Sequence, residues 1–147
     1  MNGIFIIAHA PLASALRQCA LHVFPDCAAG VVALDVQPNM SPEETLAQAR
    51  IMFGQLGTPN ALVMVDVFGA TPCNVAQKLV EGNPSKLLTG VNLPMLLRTV
   101  CYLREPLDAL VARALAGGMQ GVMQVANIAP QNQAKRNHDP NDDDYQQ

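Results

Sequence analysis

The sequence contains no tryptophan, only two tyrosines and few charged residues, which make up 14% of its 147 residues. The net charge is −3, so the chain carries no basic excess, and its few aromatic rings offer little for base stacking. Both features argue against a nucleic-acid partner. No apolar stretch reaches the roughly 18 residues that a membrane-spanning helix needs, and the N-terminal apolar run is too short for a secretion signal. We therefore expect a cytoplasmic protein without direct membrane insertion.

Cysteine is scattered, and the usual cofactor motifs are missing. None of the four cysteines forms a Cys-x-x-Cys pair, and only Cys19 and His22 lie at even a loose metal-ligand spacing. Scattered cysteines in a cytoplasmic chain are expected to be small apolar side chains of the core. There is no Walker lysine, no metal-binding acidic pair and no glycine-rich nucleotide loop. The sequence therefore predicts neither a metal nor a cofactor.

Short apolar runs alternate with helical patterns along residues 1–126. Strands are predicted at residues 3–8, 30–36, 61–67, 86–90 and 121–126. This alternation predicts an α/β fold with a doubly wound, mostly parallel sheet of flavodoxin-like strand order. The last run is less regular and follows the pair Gly117 and Gly118, so we expect a short, antiparallel C-terminal edge strand.

The predicted helices have recognisable starts and ends. The first begins directly after the first strand, and the second begins at a capping box with Ser41 at the N-cap and Glu44 at the third position, and is closed by Gly57. Thr71 is predicted as the N-cap of the third helix and Asn92 as that of the fourth. A fifth helix should start near residues 105–106 and end at residues 117–118.

The composition changes at residue 127. Residues 127–147 are dominated by Gln, Asn, Asp, Pro and Lys and cannot bury a core. We expect one folded domain over residues 1–126, followed by a disordered, acidic tail.

The most informative position is His9, at the carboxyl end of the first predicted strand. In a sheet of flavodoxin-like order the first and third strands are neighbours, and their carboxyl ends flank the ligand crevice. Asp66 lies at the end of the third strand, so the fold should bring its carboxylate to His9. An Asp that accepts the proton of one ring nitrogen leaves the other free as a nucleophile.

A second group of residues follows Asp66. Gly69 permits close approach of the backbone, Ala70 follows it, and Thr71 at a helix start should direct N–H groups and a hydroxyl into the same crevice. Helix N-termini attract anions, phosphate above all. The residues alone therefore indicate a phosphate-handling or hydrolytic site.

Three segments resemble the signatures of the mannose/fructose-type enzyme IIA of the bacterial sugar phosphotransferase system. They are Ile-Phe-Ile-Ile-Ala-His-Ala-Pro-Leu-Ala-Ser-Ala-Leu at 4–16, Asp-Val-Phe-Gly-Ala-Thr-Pro-Cys-Asn at 66–74 and Gly-Val-Asn-Leu-Pro-Met-Leu at 90–96. The resemblance covers residues 2–126. It departs from the family at Ala10, where glycine is usual, and at Ala70 and Thr71, where the family commonly has glycine and serine. Ala70 and Thr71 keep the backbone N–H groups, and Thr71 keeps the hydroxyl.

The resemblance implies a phosphoryl carrier. His9 would accept phosphate from the histidine-phosphorylated carrier protein HPr and pass it to an enzyme IIB component on a separate chain. Asp66 would orient the ring, and Gly69, Ala70 and Thr71 would bind the phosphoryl group. It also implies a homodimer in which the terminal strand is exchanged.

Other interpretations remain. The chain could be a regulatory protein in which the phosphorylation of His9 controls binding to another protein, without sugar transport. A flavin-binding module fits poorly, because the loop after the first strand lacks the Ser, Thr and Gly run that wraps a flavin phosphate. A receiver domain fits poorly because the first strand is followed by His9 and not by an acidic pair.

Overall fold

The computed structural model describes residues 1–126 and shows a parallel sheet covered by helices on both faces. The strands are β1 (Gly3–His9), β2 (Val31–Val36), β3 (Ala61–Val65) and β4 (Lys86–Thr89). The helices are α1 (Leu12–Val23), α2 (Pro42–Gly54), α3 (Thr71–Val80), α4 (Leu93–Cys101) and α5 (Leu107–Gln120), with a short 3₁₀ helix at Pro25–Gly30. None of these described helices combines the length and apolar character that crossing a membrane would require.

The strand order is β2-β1-β3-β4, and every neighbouring pair is parallel. The predicted α/β class and flavodoxin-like order are therefore confirmed. The chain passes from one side of β1 to the other between β2 and β3, which opens a crevice at the carboxyl ends of β1 and β3.

Strand β1 lies at the centre and is buried from Gly3 to Ala8. Its alternate side chains divide the core into two layers. Ile4, Ile6 and Ala8 pack in the cluster that contains residues of α1, α4 and α5. Phe5 and Ile7 pack in the cluster that contains residues of α2 and α3. A strand covered on both faces needs this continuous apolar run, and the run stops at His9.

Helix α2 begins at the predicted capping box. The Ser41 hydroxyl accepts the Glu44 N–H at 3.1 Å, and the Glu44 carboxylate accepts the Ser41 N–H at 3.0 Å. Asn92 caps α4 as predicted, accepting the N–H of Met95 at 2.9 Å. Thr71, in contrast, is the first residue of α3, and Ala70 occupies the N-cap without a side-chain hydrogen bond. The prediction that Thr71 is the N-cap was one residue off.

The end of α5 also differs from the prediction. The helix continues through Gly117 and Gly118, both buried, to Gln120. These glycines lie where α5 approaches α4 so closely that a Cβ on Gly117 would come within 2.7 Å of the Arg98 Cβ. Packing between the two helices therefore outweighs the low helix propensity of glycine. The glycine pair is part of the helix.

The predicted fifth strand is not part of this sheet. Residues 122–126 have no regular secondary structure, and Val122 and Val125 are about 80% exposed. Strand β4 is thus an edge strand in the described part of the chain. The proposed tail, residues 127–147, lies outside the described residues, so the domain division stays a prediction.

The cysteines follow the expectation only in part. Cys73 is buried in α3, but Cys19 on α1 and Cys101 at the end of α4 are exposed, and Cys27 is half-buried. All four are free thiols.

The contact between α4 and α5 can be tested by adding one methyl group. Gly117→Ala should lower the free energy of unfolding by about 1–3 kcal/mol, because its Cβ would overlap Arg98 and outweigh the gain in helix propensity. Gly54→Ala is the matched control, since no atom lies within 4 Å of a Cβ at the end of α2. It should leave stability unchanged or raise it by up to about 1 kcal/mol. Urea unfolding of both variants measures this, and equal stabilities would contradict the described packing.

Candidate active site

The sheet places His9 at the mouth of the crevice. It is the last residue of β1 and the first that is not buried, with 55% of its side chain exposed. The backbone on both sides of it is fixed, because Ala8 lies within the sheet and the Ala10 N–H donates to the Val36 carbonyl at 3.0 Å. The imidazole therefore stands at a fixed point while remaining accessible to a large partner.

Asp66 follows β3 and contacts His9 twice. One carboxylate oxygen, Oδ2, lies 2.6 Å from the ring Nδ1 and also accepts the His9 backbone N–H at 2.9 Å. The other, Oδ1, accepts the N–H of Val67 at 2.9 Å. Only 13% of the Asp66 side chain is exposed. The sequence prediction that these two residues meet across 57 positions agrees with this geometry.

This contact determines which ring nitrogen can react. With Nδ1–H donating to the carboxylate, the lone pair of the neutral ring lies on Nε2. Nε2 is thereby the ring nitrogen whose lone pair is free, and a positive charge on the ring would lie beside the Asp66 carboxylate.

Asp66 is held in its ionised form. Burial of the carboxyl group opposes ionisation, but it is outweighed by the hydrogen bonds from the His9 N–H and ring, by the charge of the ring and by the Val67 N–H. Together these lower the pKa of Asp66 below its ordinary value. The carboxylate is therefore available as a hydrogen-bond acceptor throughout the neutral range.

A cleft of about 280 Å³ adjoins the His9 ring. Its walls come from the start of the β1–α1 link, the end of β2 with the loop that follows, and the start of α3. The lining residues are His9, Ala10, Val36, Gln37, Pro38, Met40 and Thr71. The volume is small for a nucleotide or a flavin and ample for a phosphoryl group.

Helix α3 presents its N-terminus at this cleft. No side chain caps it, and Pro72 in the first turn has no N–H of its own. Gly69 has φ +87°, a conformation that L side chains rarely adopt, and it turns the chain from Asp66 into the helix. Helix N-termini attract anions, and Thr71, the first residue of this helix, lines the cleft together with His9.

The N-terminus of α1, which follows β1 after only two residues, already holds a carboxylate. Asp35 accepts the N–H and the hydroxyl of Ser14 in the first turn. Sequence reasoning missed Asp35 and the cleft residues Gln37 and Met40. The signal was present, because Asp35 stands near the carboxyl end of a predicted strand, the same placement that singled out Asp66.

A larger cleft lies elsewhere, at the amino ends of the strands. It measures about 580 Å³ and is lined mainly by apolar side chains, including Phe24, Tyr102 and Leu103. Cys27 is part of it, and burial raises the pKa of its thiol, which keeps it in the less nucleophilic protonated form. Size therefore does not identify the reactive site, and the paired His9 and Asp66 do. No cluster of three or more potential metal ligands occurs within residues 1–126.

Comparison with known proteins points to one family. The family model described as "PTS system fructose IIA component" matches residues 3–115. The PTS system mannose-specific EIIAB component of Escherichia coli K12 is 30% identical over 93 residues, a match that covers 60% of this chain and 29% of that protein. The chain thus spans less than a third of the curated relatives it matches.

Solved structures show the same fold. The mannose/sorbose-specific IIA subunit of the phosphotransferase system from Enterococcus faecalis superposes with a TM-score of 0.79 at 20% identity, covering 87% of this chain and 97% of that one. The phosphotransferase system component EIIA from Streptococcus agalactiae gives 0.74 at 25% identity, covering 84% and 97%.

The pairing of Asp66 with His9 should make part of the stability depend on pH. The pKa of Asp66 is lower in the folded chain than in the unfolded one, so its carboxylate stabilises the fold above the unfolded value of about 4. This contribution is lost as the pH falls through the lowered, folded value. The ordinary pKa of a histidine side chain lies above the pH range in which this contribution is lost.

Urea unfolding of the wild type and of Asp66→Asn measures this contribution from about pH 5 down to about pH 2.5. The difference between their free energies of unfolding should shrink on acidification. A difference that stays constant over this window would contradict the described pairing.

Proposed function

The chain belongs to the family of phosphotransferase-system fructose IIA components, and on this basis we propose that it is a phosphoryl carrier that uses His9 Nε2. The observation that supports this most directly is the 2.6 Å contact between Asp66 and the ring Nδ1, which leaves Nε2 free beside the cleft. Family membership implies phosphoryl transfer in sugar uptake, and the site contains the groups that such a transfer needs.

The proposed donor is the histidine-phosphorylated carrier protein HPr. The Nε2 lone pair of His9 attacks the phosphorus, and the bond between phosphorus and the donor's ring nitrogen breaks, returning its electron pair to that ring. The His9 ring then carries a positive charge, which the Asp66 carboxylate balances. Oxygens of the transferred group accept hydrogen bonds from the first-turn N–H groups of α3 and from Thr71.

Passing the group to an enzyme IIB component is the same displacement with His9 as the leaving group. The IIB nucleophile attacks the phosphorus, the bond to Nε2 breaks, and the ring returns to its neutral form. No metal and no nucleotide takes part in the proposed steps. Location of the IIB component on a separate chain stays a prediction.

Exposed apolar side chains lie close to His9 and Asp66 in the sequence and offer a surface for these partners. Phe68, two residues after Asp66, is 72% exposed, and Val67 and Leu12 are also exposed. Large apolar groups this exposed beside a reactive side chain are typical of interaction surfaces. We therefore propose that partner proteins dock against Phe68 and its neighbours and bring their own phosphorylated residue to Nε2.

The acceptor assignment is tested by intact mass after incubation with phosphoenolpyruvate, enzyme I and HPr. The wild type should gain one phosphoryl group, and the gain should disappear at low pH because phosphohistidine is acid-labile. His9→Ala should abolish the gain, whereas His22→Ala, which removes an exposed histidine on α1, should not. Labelling of His9→Ala to the wild-type extent would overturn the assignment. A second assay measures transfer from phosphorylated His9 to a IIB component. This transfer distinguishes a transport role from a purely regulatory one.

The docking role of Phe68 can be separated from its closeness to the site. Phe68→Ala should slow transfer from phosphorylated HPr by about ten-fold or more, the loss typical of an aromatic anchor at an interface. Transfer from phosphoramidate, a small donor that needs no docking, should be unchanged. Ile51→Ala is the control, because Ile51 is 70% exposed on α2 and has no place in the proposed surface. Equal slowing with both donors would mean that Phe68 supports the site and not the partner.

Homodimer formation is proposed from the edge of the sheet. Strand β4 has no outer neighbour in the described residues, and the apolar side chains of Val122, Met123 and Val125 are exposed just beyond α5. Exposed strand edges and apolar segments of this kind are usually covered by pairing. Exchange of residues 122–126 between two copies would cover both.

Two truncations test the exchange. A chain that ends at Ala126 should remain a dimer, whereas a chain that ends at Gly121, which leaves α5 whole, should become monomeric or insoluble. Light scattering measures both. A soluble monomer at micromolar concentration for the full-length chain would contradict the proposed dimer.

A further inference from the structure

We propose that Asp35 and Ser14 form a second positioning pair for His9, acting on the side of β1 opposite to Asp66. This proposal rests on the phosphoryl-carrier function of His9. Neither residue touches the ring, so both are positioning residues, and their effect passes through the start of α1.

The strand register sets the arrangement. Asp35 on β2 lies opposite Ala8 on β1, one residue before His9, whereas Asp66 follows β3 on the other side of β1. The central strand that carries the histidine is therefore flanked by a carboxylate from each neighbouring strand. The Asp35 side chain is half-buried, as is Ser14.

Both carboxylate oxygens of Asp35 accept hydrogen bonds from a single residue of α1, Ser14. Its Oδ1 accepts the Ser14 N–H at 2.9 Å, and its Oδ2 accepts the Ser14 hydroxyl at 2.6 Å. The second distance is that of a strong, charge-assisted hydrogen bond. Asp35 thus acts as a cap that comes from the neighbouring strand, on a helix whose own N-cap, Pro11, provides no side-chain hydrogen bond.

The link between this cap and His9 is short. Only Ala10 and Pro11 separate β1 from α1, and the Ala10 N–H is itself bonded to the Val36 carbonyl of β2. A shift of the first turn of α1 would therefore pull on this two-residue link and disturb the Ala10–Val36 bond, which fixes the His9 backbone relative to Asp66 and to the start of α3. Displacement of a reacting group by about 1 Å can slow an enzymatic step by about a hundred-fold.

The charge of Asp35 has a second consequence for the site. A carboxylate at the N-terminus of α1 is favoured by the helix dipole and occupies a first-turn N–H that would otherwise attract another anion. The N-terminus of α3 has no such side chain. A phosphoryl group on His9 is therefore directed toward α3 and Thr71.

The test uses full-length Asp35→Ala, with Asp35→Asn as the conservative variant, because an amide oxygen can still accept the Ser14 N–H. Asn83→Ala is the matched control. Asn83 also makes two hydrogen bonds, to the Leu79 carbonyl and from the Ser85 N–H, but at the opposite edge of the sheet. Asp66→Asn is included for comparison, because it removes the carboxylate that contacts the His9 ring directly.

Single-turnover transfer from phosphorylated HPr at varied HPr concentrations separates docking from chemistry. Asp35→Ala should lower the maximal rate by about ten- to a hundred-fold. The HPr concentration at half-maximal rate should stay the same, because the surface around Phe68 is intact. Asp35→Asn should recover most of the rate, and Asn83→Ala should behave as the wild type. A wild-type rate for Asp35→Ala, or equal slowing by Asn83→Ala, would overturn the proposal.

A second measurement does not depend on phosphorylation. In nitrogen-15 NMR spectra the wild-type His9 ring should show a protected Nδ1–H bonded to Asp66, and Asp35→Ala should weaken this signal while Asn83→Ala leaves it unchanged. Failure of the wild type to become phosphorylated would contradict the proposed function. An unaltered Nδ1–H signal in Asp35→Ala would overturn the positioning pair, whether or not the wild type is phosphorylated. Should Asp35→Ala fail to fold, Ser14→Ala is used, which keeps the backbone N–H and loses the hydroxyl contacts to Asp35 and to the Pro11 carbonyl. It should weaken the same signal, and an unaltered signal would overturn the pair.

Discussion

The complete burial of β1 is the constraint on which the rest of the molecule depends. A strand with β2 on one edge, β3 on the other and helices over both faces can contain no polar side chain until it leaves the core. It does so at His9, the point where the carboxyl ends of its two neighbours also emerge. The position of His9 is thus a consequence of sheet topology, and the two carboxylates on either side of β1 lie on β2, in Asp35, and directly after β3, in Asp66.

Much of this could be predicted from the sequence because the signals are local or topological. The runs that form β1 to β4 and the cap at Ser41 are visible in short windows. The meeting of His9 with Asp66 follows from strand order, although no local pattern links the two residues. The same rule, applied to the end of β2, would have identified Asp35, which was missed because its helix-capping role depends on a contact between separate elements.

What could not be predicted depends on packing between elements that are distant in the chain. Gly117 and Gly118 are poor helix formers, so a sequence window favours ending α5 there. In the folded chain Gly117 is required, because a Cβ there would lie 2.7 Å from the Arg98 Cβ on α4, and a Cβ on Gly118 would meet the Met95 side chain at 2.9 Å. Likewise the run 121–126 has the composition of a strand, but a strand needs a neighbour, and the described chain provides none beside it.

The close contact between α4 and α5 also has a consequence for the proposed homodimer. At Gly117 the backbone of α5 lies so close to α4 that an added Cβ would come within 2.7 Å of the Arg98 Cβ, and the side chain of Asn92 at the start of α4 donates to the Gly118 carbonyl at 3.3 Å. This packing holds the end of α5 against α4. The point at which residues 122–126 leave the domain is therefore set within a single subunit. A segment aimed in advance loses less conformational entropy on pairing than one that leaves from a flexible hinge. In the proposed dimer, tight packing inside one subunit would thereby lower the entropic cost of joining two.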